Sequence, residues 1–195
     1  YPGRLMLDDG AIFEVMRRCR ECGVLPMLHA ENGGVIDVLV REALREGRTS
    51  AREHAATRPA SMEVEAVHRG IALAELARSP LYVVHVSTAG AVDEIGSARR
   101  RGLPVIGETC PQYLVLSEDA YEAPDDSALG VVMSPPLRPA AMQARLWKGL
   151  ADADLQTIGT DHCPFLMRDK LTGRDDFSKV PNGVPGIEHR LSLTF

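Results

Sequence analysis

Four residues able to carry chemistry stand at equivalent places in this sequence, each at the end of a short apolar run. They are His29 after 24–28, His85 after 81–84, Glu108 after 104–106 and Asp161 after 155–159. Neutral imidazoles and a carboxylate are ligands that Zn²⁺ prefers, and a site that keeps an open position can also hold water. One strand-end histidine is more often a hydrogen-bonded structural residue than a ligand. His29, His85 and Asp161 delivered to one rim make a credible metal site. Glu31 and Asn32 lie just past His29 and are placed to orient its ring, because ligating histidines usually donate their second N–H to a carboxylate or carbonyl. Cys19 and Cys22 have C-x-x-C spacing, but Ile12, Phe13, Met16 and Cys19 recur at helical intervals across 9–22. Both thiols then fall mid-helix, with no second such pair to complete four ligands.

The elements that must position these residues alternate. Amphipathic stretches predict helices over 9–22, 35–46, 62–77, 89–101 and 140–150, with strands over 24–28, 81–84, 104–106 and 155–159 between them. Ser61 is expected to cap the third helix, with Glu63 and Glu65 in its first turn, and Thr88 the fourth. Residues 107–139 are turn-rich, and 163–185 read as a long loop over an active site. Short strands alternating with longer helices imply a parallel sheet with helices outside, which either a doubly wound sheet or a β/α barrel satisfies. Polar residues at successive strand ends favour the barrel, where those ends converge on the face that houses catalysis. No G-x-G-x-x-G follows any strand, which removes the main argument for a dinucleotide-binding sheet.

Composition sets the outer bounds. The 195 residues are 45% hydrophobic and 25% charged, as in ordinary globular proteins. A formal charge of -5 and a pI near 5.7 argue against an electrostatic grip on nucleic acid or an anionic membrane. No apolar run approaches the roughly 18 residues of a membrane span, and no basic lead runs into an apolar stretch. The expectation is a soluble, cytoplasmic protein with no nucleic-acid or membrane partner. Four cysteines are too few and scattered for a disulfide scaffold.

Six phrases together carry a specific resemblance across essentially the whole chain. They are His29-Ala30-Glu31-Asn32-Gly33, Val83-Val84-His85-Val86-Ser87, Gly107-Glu108-Thr109-Cys110-Pro111-Gln112-Tyr113, Ser134-Pro135-Pro136-Leu137-Arg138, Thr160-Asp161-His162-Cys163-Pro164-Phe165 and Pro181-Asn182-Gly183-Val184-Pro185-Gly186. The sequence resembles the hydantoinase/dihydropyrimidinase family of cyclic amidohydrolases. That resemblance implies a (β/α)₈ TIM barrel, of which residues 1–195 would be part of a single domain. It implies two zinc ions bridged by hydroxide and by a carboxylated lysine. His29 and His85 match the histidines that hold one zinc, and Asp161 the carboxylate that holds the other and shuttles the proton. Tyr1 matches a catalytic tyrosine that stabilises the oxyanion and binds substrate, while Ser134 and Asn182 match positions that hydrogen-bond the substrate's imide edge. The family's first His-x-His and its bridging lysine have no counterpart here, and none of Lys148, Lys170 and Lys179 stands in a matching context.

The implied chemistry is ring opening of a hydantoin or 5,6-dihydropyrimidine to an N-carbamoyl amino acid, as in pyrimidine catabolism. A metal-bound water with a pKa near 7 would supply hydroxide. Asp161 would take its proton and deliver it to the leaving nitrogen. An allantoinase- or dihydroorotase-like activity is the nearest alternative; a non-catalytic barrel relative acting as an assembly protein, like the collapsin response mediator proteins, is another. Retention of His29, His85 and Asp161 counts against the last. The resemblance also implies a homotetramer. Because a complete barrel takes about 250 residues, and the chain opens at Tyr1 without Met, it is expected to be a piece of a barrel that alone holds at most one zinc weakly and shows little activity. Without the resemblance, 134–136 and 181–183 read as simple turns. His162 and Cys163 are expected to point away from Asp161 as supporting or packing residues, and Cys110 and Glu108 to be structural. His54, His68 and His189 are expected to be solvated or hydrogen-bonded.

Overall fold

A computed structural model describes residues 5–194 of the chain. The Asp8 carboxylate accepts the Ala11 amide (2.8 Å) and starts helix α1 (Asp9–Cys22); Gly23, at φ 67°, ends it. A left-handed residue at that point satisfies the last carbonyls of the helix, which glycine does without a Cβ penalty. Strand β1 (Met27–Leu28) leads through Asn32, whose side chain caps helix α2 (Gly33–Arg45) by accepting the Val35 amide. A short helix α3 (Arg52–Ala56) precedes α4 (Ala60–Ala77), β2 (Leu81–Val83), α5 (Ala89–Arg100) and β3 (Val105–Thr109). Beyond these come α6 (Pro111–Val115), α7 (Ser127–Gly130), α8 (Gln143–Ala151), β4 (Thr157–Ile158), α9 (Met167–Lys170) and α10 (His189–Thr194).

All four strands are parallel, and their order in space is their order in sequence, β1-β2-β3-β4. A doubly wound sheet reverses its order at a switch point. This sheet never does, as the barrel reading requires. The pairing register sets Tyr82 beside Ile106 and Glu108 beside Thr157. Because side chains alternate across a strand, Leu81, Val83 and Val105 are fully buried under the helices. Tyr82, Glu108 and Thr157 share the opposite face, where the Tyr82 hydroxyl bonds Glu108 Oε2 (2.7 Å) and Thr157 Oγ1 (2.8 Å). On the helix side Met16, Val67, Ile71, Val92, Ile95, Leu146 and Leu155 complete the core, and each such side chain contributes roughly 1.5–3 kcal/mol relative to exposure. Among the described residues no helix is long and apolar enough to cross a membrane.

Several expected boundaries shift. Strands β1 and β4 are only two residues long, the ladder starting at Met27 and Thr157 rather than at the first residue of each apolar run. Glu108 lies within β3 rather than past its end. Helix α4 begins at Ala60 after Pro59, with no side-chain cap. Ser61 is therefore inside the helix, since proline's fixed φ already sets its start. Thr88 does cap α5, accepting the Ala91 amide (3.4 Å). Helix α3 was not expected, and its five residues are too few to show a period.

Candidate active site

The ends of β1 and β2 bring His29 and His85 together. His29 Nδ1 lies 2.8 Å from His85 Nε2, with the rings edge to face at a centroid separation of 4.6 Å. The other His29 nitrogen, Nε2, faces Glu31 Oε2 at 2.9 Å. Burial pushes the Glu31 carboxyl up, but the hydrogen bond and charge of His29, with Arg58 and Arg138 beyond, outweigh burial and hold it below the ordinary glutamate value. An ionised Glu31 can only accept, so His29 Nε2 carries the hydrogen and Nδ1 presents a lone pair. That is the carboxylate–histidine arrangement that orients metal ligands. His85 is 7% exposed, and its burial, reinforced by His29, lowers its pKa to about 3. It is a neutral imidazole whose Nδ1 has no hydrogen-bond partner among the described residues.

Backbone geometry marks the same rim. Among the described residues four non-glycine residues have positive φ: Arg78 and Ala153 follow helices, whereas His85 (φ 42°) and Asp161 (φ 46°) follow strands, with no helix end to account for the turn. Such conformations cost on the order of 1–3 kcal/mol and cluster at functional sites. Glu108 supports the first of them by accepting the His85 amide on Oε1 (3.3 Å). Gly159 admits Glu108, for a Cβ there would run into its carboxylate. Partial burial raises the pKa of Asp161 above the ordinary value, His29 lowers it and Glu108 raises it further.

The pair offers donors of the kind a divalent cation takes: two imidazole rings meet nitrogen to nitrogen, His85 Nε2 donating its hydrogen to the His29 Nδ1 lone pair, and the His29 ring is fixed by a carboxylate. Among the described residues, however, no three His, Cys, Asp or Glu side chains lie close enough to form a ligand set. Asp161 faces the pair electrostatically without closing onto it.

A second region forms from loops. The Ser134 hydroxyl donates to Asn182 Oδ1 (2.8 Å), and Asn182 Nδ2 donates to the Val180 carbonyl (2.9 Å). Both side chains are thus engaged within the protein. His54, 1% exposed, lies behind them with Nε2 at 2.7 Å from the Met133 carbonyl and 3.5 Å from Ser134 Oγ. Since a carbonyl only accepts, Nε2 is the protonated nitrogen, and Nδ1 accepts from Arg58 (3.2 Å). Burial and the Arg58 charge lower the His54 pKa to about 3. The segment is anchored by Arg138, which donates to Glu63 Oε2 (3.0 Å), Ser87 Oγ (3.0 Å) and the Arg58 carbonyl. Glu63 in turn accepts the Ser87 and Thr88 amides (2.8 and 3.2 Å). This buried network ties the chain after His85 to the chain after Ser134.

Of the sequence-predicted residues, the structure joins His29 with His85, and Ser134 with Asn182. Tyr1 lies outside the described residues. Asn32 caps α2 and donates to Glu65 (2.8 Å) rather than supporting His29, a task that falls to Glu31. His162 and Cys163 do not continue a strand period. Both are exposed, His162 Nδ1 accepting the Gly186 amide (3.1 Å) and Cys163 lying against Gly183. Cys110 is fully buried, and that burial, with Glu108 and Asp161 nearby, pushes its thiol far above the ordinary range; it is inert packing. His68 is an exposed partner of Glu94 (2.8 Å) and His189 is exposed, as expected. Sequence reasoning missed the buried set His54, Glu63, Arg138 and Lys170. Only Arg138, inside a quoted phrase, carried any signal.

No family model matches the chain. Over 99% of its length it is 54% identical to a D-hydantoinase of Streptomyces coelicolor, of which it covers 42%. It superimposes on a crystal structure of a D-hydantoinase with a TM-score of 0.99 at 48% identity, covering 100% of this chain and 43% of that one. A dihydropyrimidinase from Brevibacillus agri gives a TM-score of 0.98 at 50% identity, covering 100% of this chain and 42% of that one. The chain thus spans about two fifths of the length of the relatives it matches.

Proposed function

Because the chain belongs to the hydantoinase/dihydropyrimidinase family and its sheet is part of that family's β/α barrel, we propose that it hydrolyses a cyclic amide. The substrate would be a hydantoin or a 5,6-dihydropyrimidine, opened to an N-carbamoyl amino acid. The single observation that carries this reading is the convergence of His29 Nδ1 and His85 Nε2, with His29 fixed by Glu31. His29, His85 and Asp161 would hold a divalent metal. A bound ion of this kind acts as a Lewis acid and brings the pKa of a water near 7.

The chain's own residues do the rest. Glu31 fixes the His29 tautomer, and Glu108 holds the backbone of His85 in its left-handed turn. The Asp161 carboxylate takes the proton released as water attacks the ring carbonyl and returns it to the ring nitrogen as the C–N bond breaks. The main chain at Ser134 and Asn182 hydrogen-bonds the imide edge, and Tyr1 would stabilise the oxyanion.

Family membership also supports the finer readings: zinc as the metal, two ions per site bridged by a carboxylated lysine, a single barrel domain including 1–195, a homotetramer, and a cytoplasmic setting. Lys148 and Lys179 are engaged with Asp152 and Asp176, and Lys170 with main-chain carbonyls, so none of the three supports a bridging role. Full-length protein incubated with hydantoin and with dihydrouracil should release the matching N-carbamoyl acid, seen by NMR. No ring opening of either would overturn the reading.

A further inference from the structure

Lys170 ends α9 with its side chain inside the protein, 2% exposed, where lysine is almost never found unless its ammonium is satisfied. Its Nζ donates to the Val132 carbonyl (2.7 Å) and the Gly183 carbonyl (2.8 Å), and lies 5.7 Å from the Phe165 ring centre. The Val132 carbonyl also receives the Gly183 amide (3.0 Å). One ammonium therefore clamps two segments distant in sequence at their point of contact. Val132 lies two residues before Ser134, and Gly183 directly follows Asn182. Gly183 is required there: its φ is 146°, and a Cβ would strike the Cys163 carbonyl. Burial lowers the Lys170 pKa to about 8, which still leaves the ammonium as the main form at neutral pH.

An apolar side chain of the same length would fill this space without the desolvation cost of a buried charge. What it would not do is satisfy the Gly183 carbonyl or hold it in register with Val132. We propose that Lys170 is a positioning residue that fixes the spacing of the Ser134 and Asn182 main-chain groups and so sets how tightly the substrate's imide edge is held. This rests on the cyclic-amide reading above.

The test compares full-length, metal-loaded wild type with Lys170→Met and Lys170→Gln by two readouts, amide hydrogen exchange over 132–134 and 182–184 and steady-state kinetics. Lys170→Met should accelerate exchange in both segments and raise KM about tenfold while kcat falls less than about threefold, as loss of substrate positioning predicts. Lys170→Gln retains an NH₂ donor on a shorter stem and should recover part of the KM. If the Met variant does not fold, the Gln variant alone decides, with faster exchange and a KM above wild type expected. Unchanged exchange in the folded variants, or faster exchange with wild-type KM, overturns the assignment. Faster exchange in a protein whose wild type opens no cyclic amide would instead overturn the functional reading and uphold the clamp.

Discussion

The His29–His85 rim and the Ser134–Asn182 edge are built by different means. At the rim the donors sit at neighbouring strand ends, so parallel register brings them together, and each needs only a nearby carboxylate, Glu31 or Glu108, to hold it. At the edge no sheet register operates. Loops 48 residues apart are held by buried polar groups, namely His54, Lys170 and the Glu63–Arg138 pair. The proposed reactive centre thus inherits its geometry from the fold, whereas the proposed recognition edge must be wired by side chains whose removal leaves buried partners unsatisfied.

That contrast can be broken by substitution. The largest effect should come from His85→Ala at the rim, where the groups act as a unit: kcat/KM falling by at least about 10⁴-fold with metal content lost, read by atomic absorption, and with thermal stability little changed. Asp161→Asn should lower kcat by about 10²–10⁴-fold and also weaken metal binding, because the carboxylate it removes would be both proton carrier and ligand. At the edge, Arg138→Met should act through folding instead, costing about 3–5 kcal/mol in denaturant unfolding because Glu63 is left buried and unpaired. Glu31→Gln should weaken metal binding by about 10–100-fold in a chelator competition.

The smallest expected effect is a pH dependence. The native pKa of His54, about 3, lies below the unfolded value. Between the two values the unfolded chain binds the extra proton, so this histidine's contribution is full at neutral pH and is lost as pH falls through 6.5 toward 3. At about 1.4 kcal/mol per unit, the His54 share of stability should fall by about 2 kcal/mol from pH 7 to pH 5. His54→Gln should flatten that part of the profile.

The same contrast explains what the sequence made legible. Helix α1 and the cap at Thr88 follow from periodicity and side-chain type, and the rim follows because polar residues interrupt apolar runs at strand ends. Strands β1 and β4 are shorter than their apolar runs, since apolar residues begin before the point where the ladder starts. The left-handed turns at His85 and Asp161 leave no mark in residue type, because neither position is glycine. Nothing in residue type marks Lys170, Glu63 and Arg138 as buried; the folded chain shows that they are. His54 lies in a helix too short to reveal which face is covered.

The most direct test of the account is metal dependence of ring opening by the full-length protein. Chelation should abolish release of the N-carbamoyl acid from hydantoin or dihydrouracil, and titrating Zn²⁺ back should restore metal content and activity together in wild type, but not in His85→Ala. Ring opening that survives complete removal of metal, or that His85→Ala leaves intact, would contradict it.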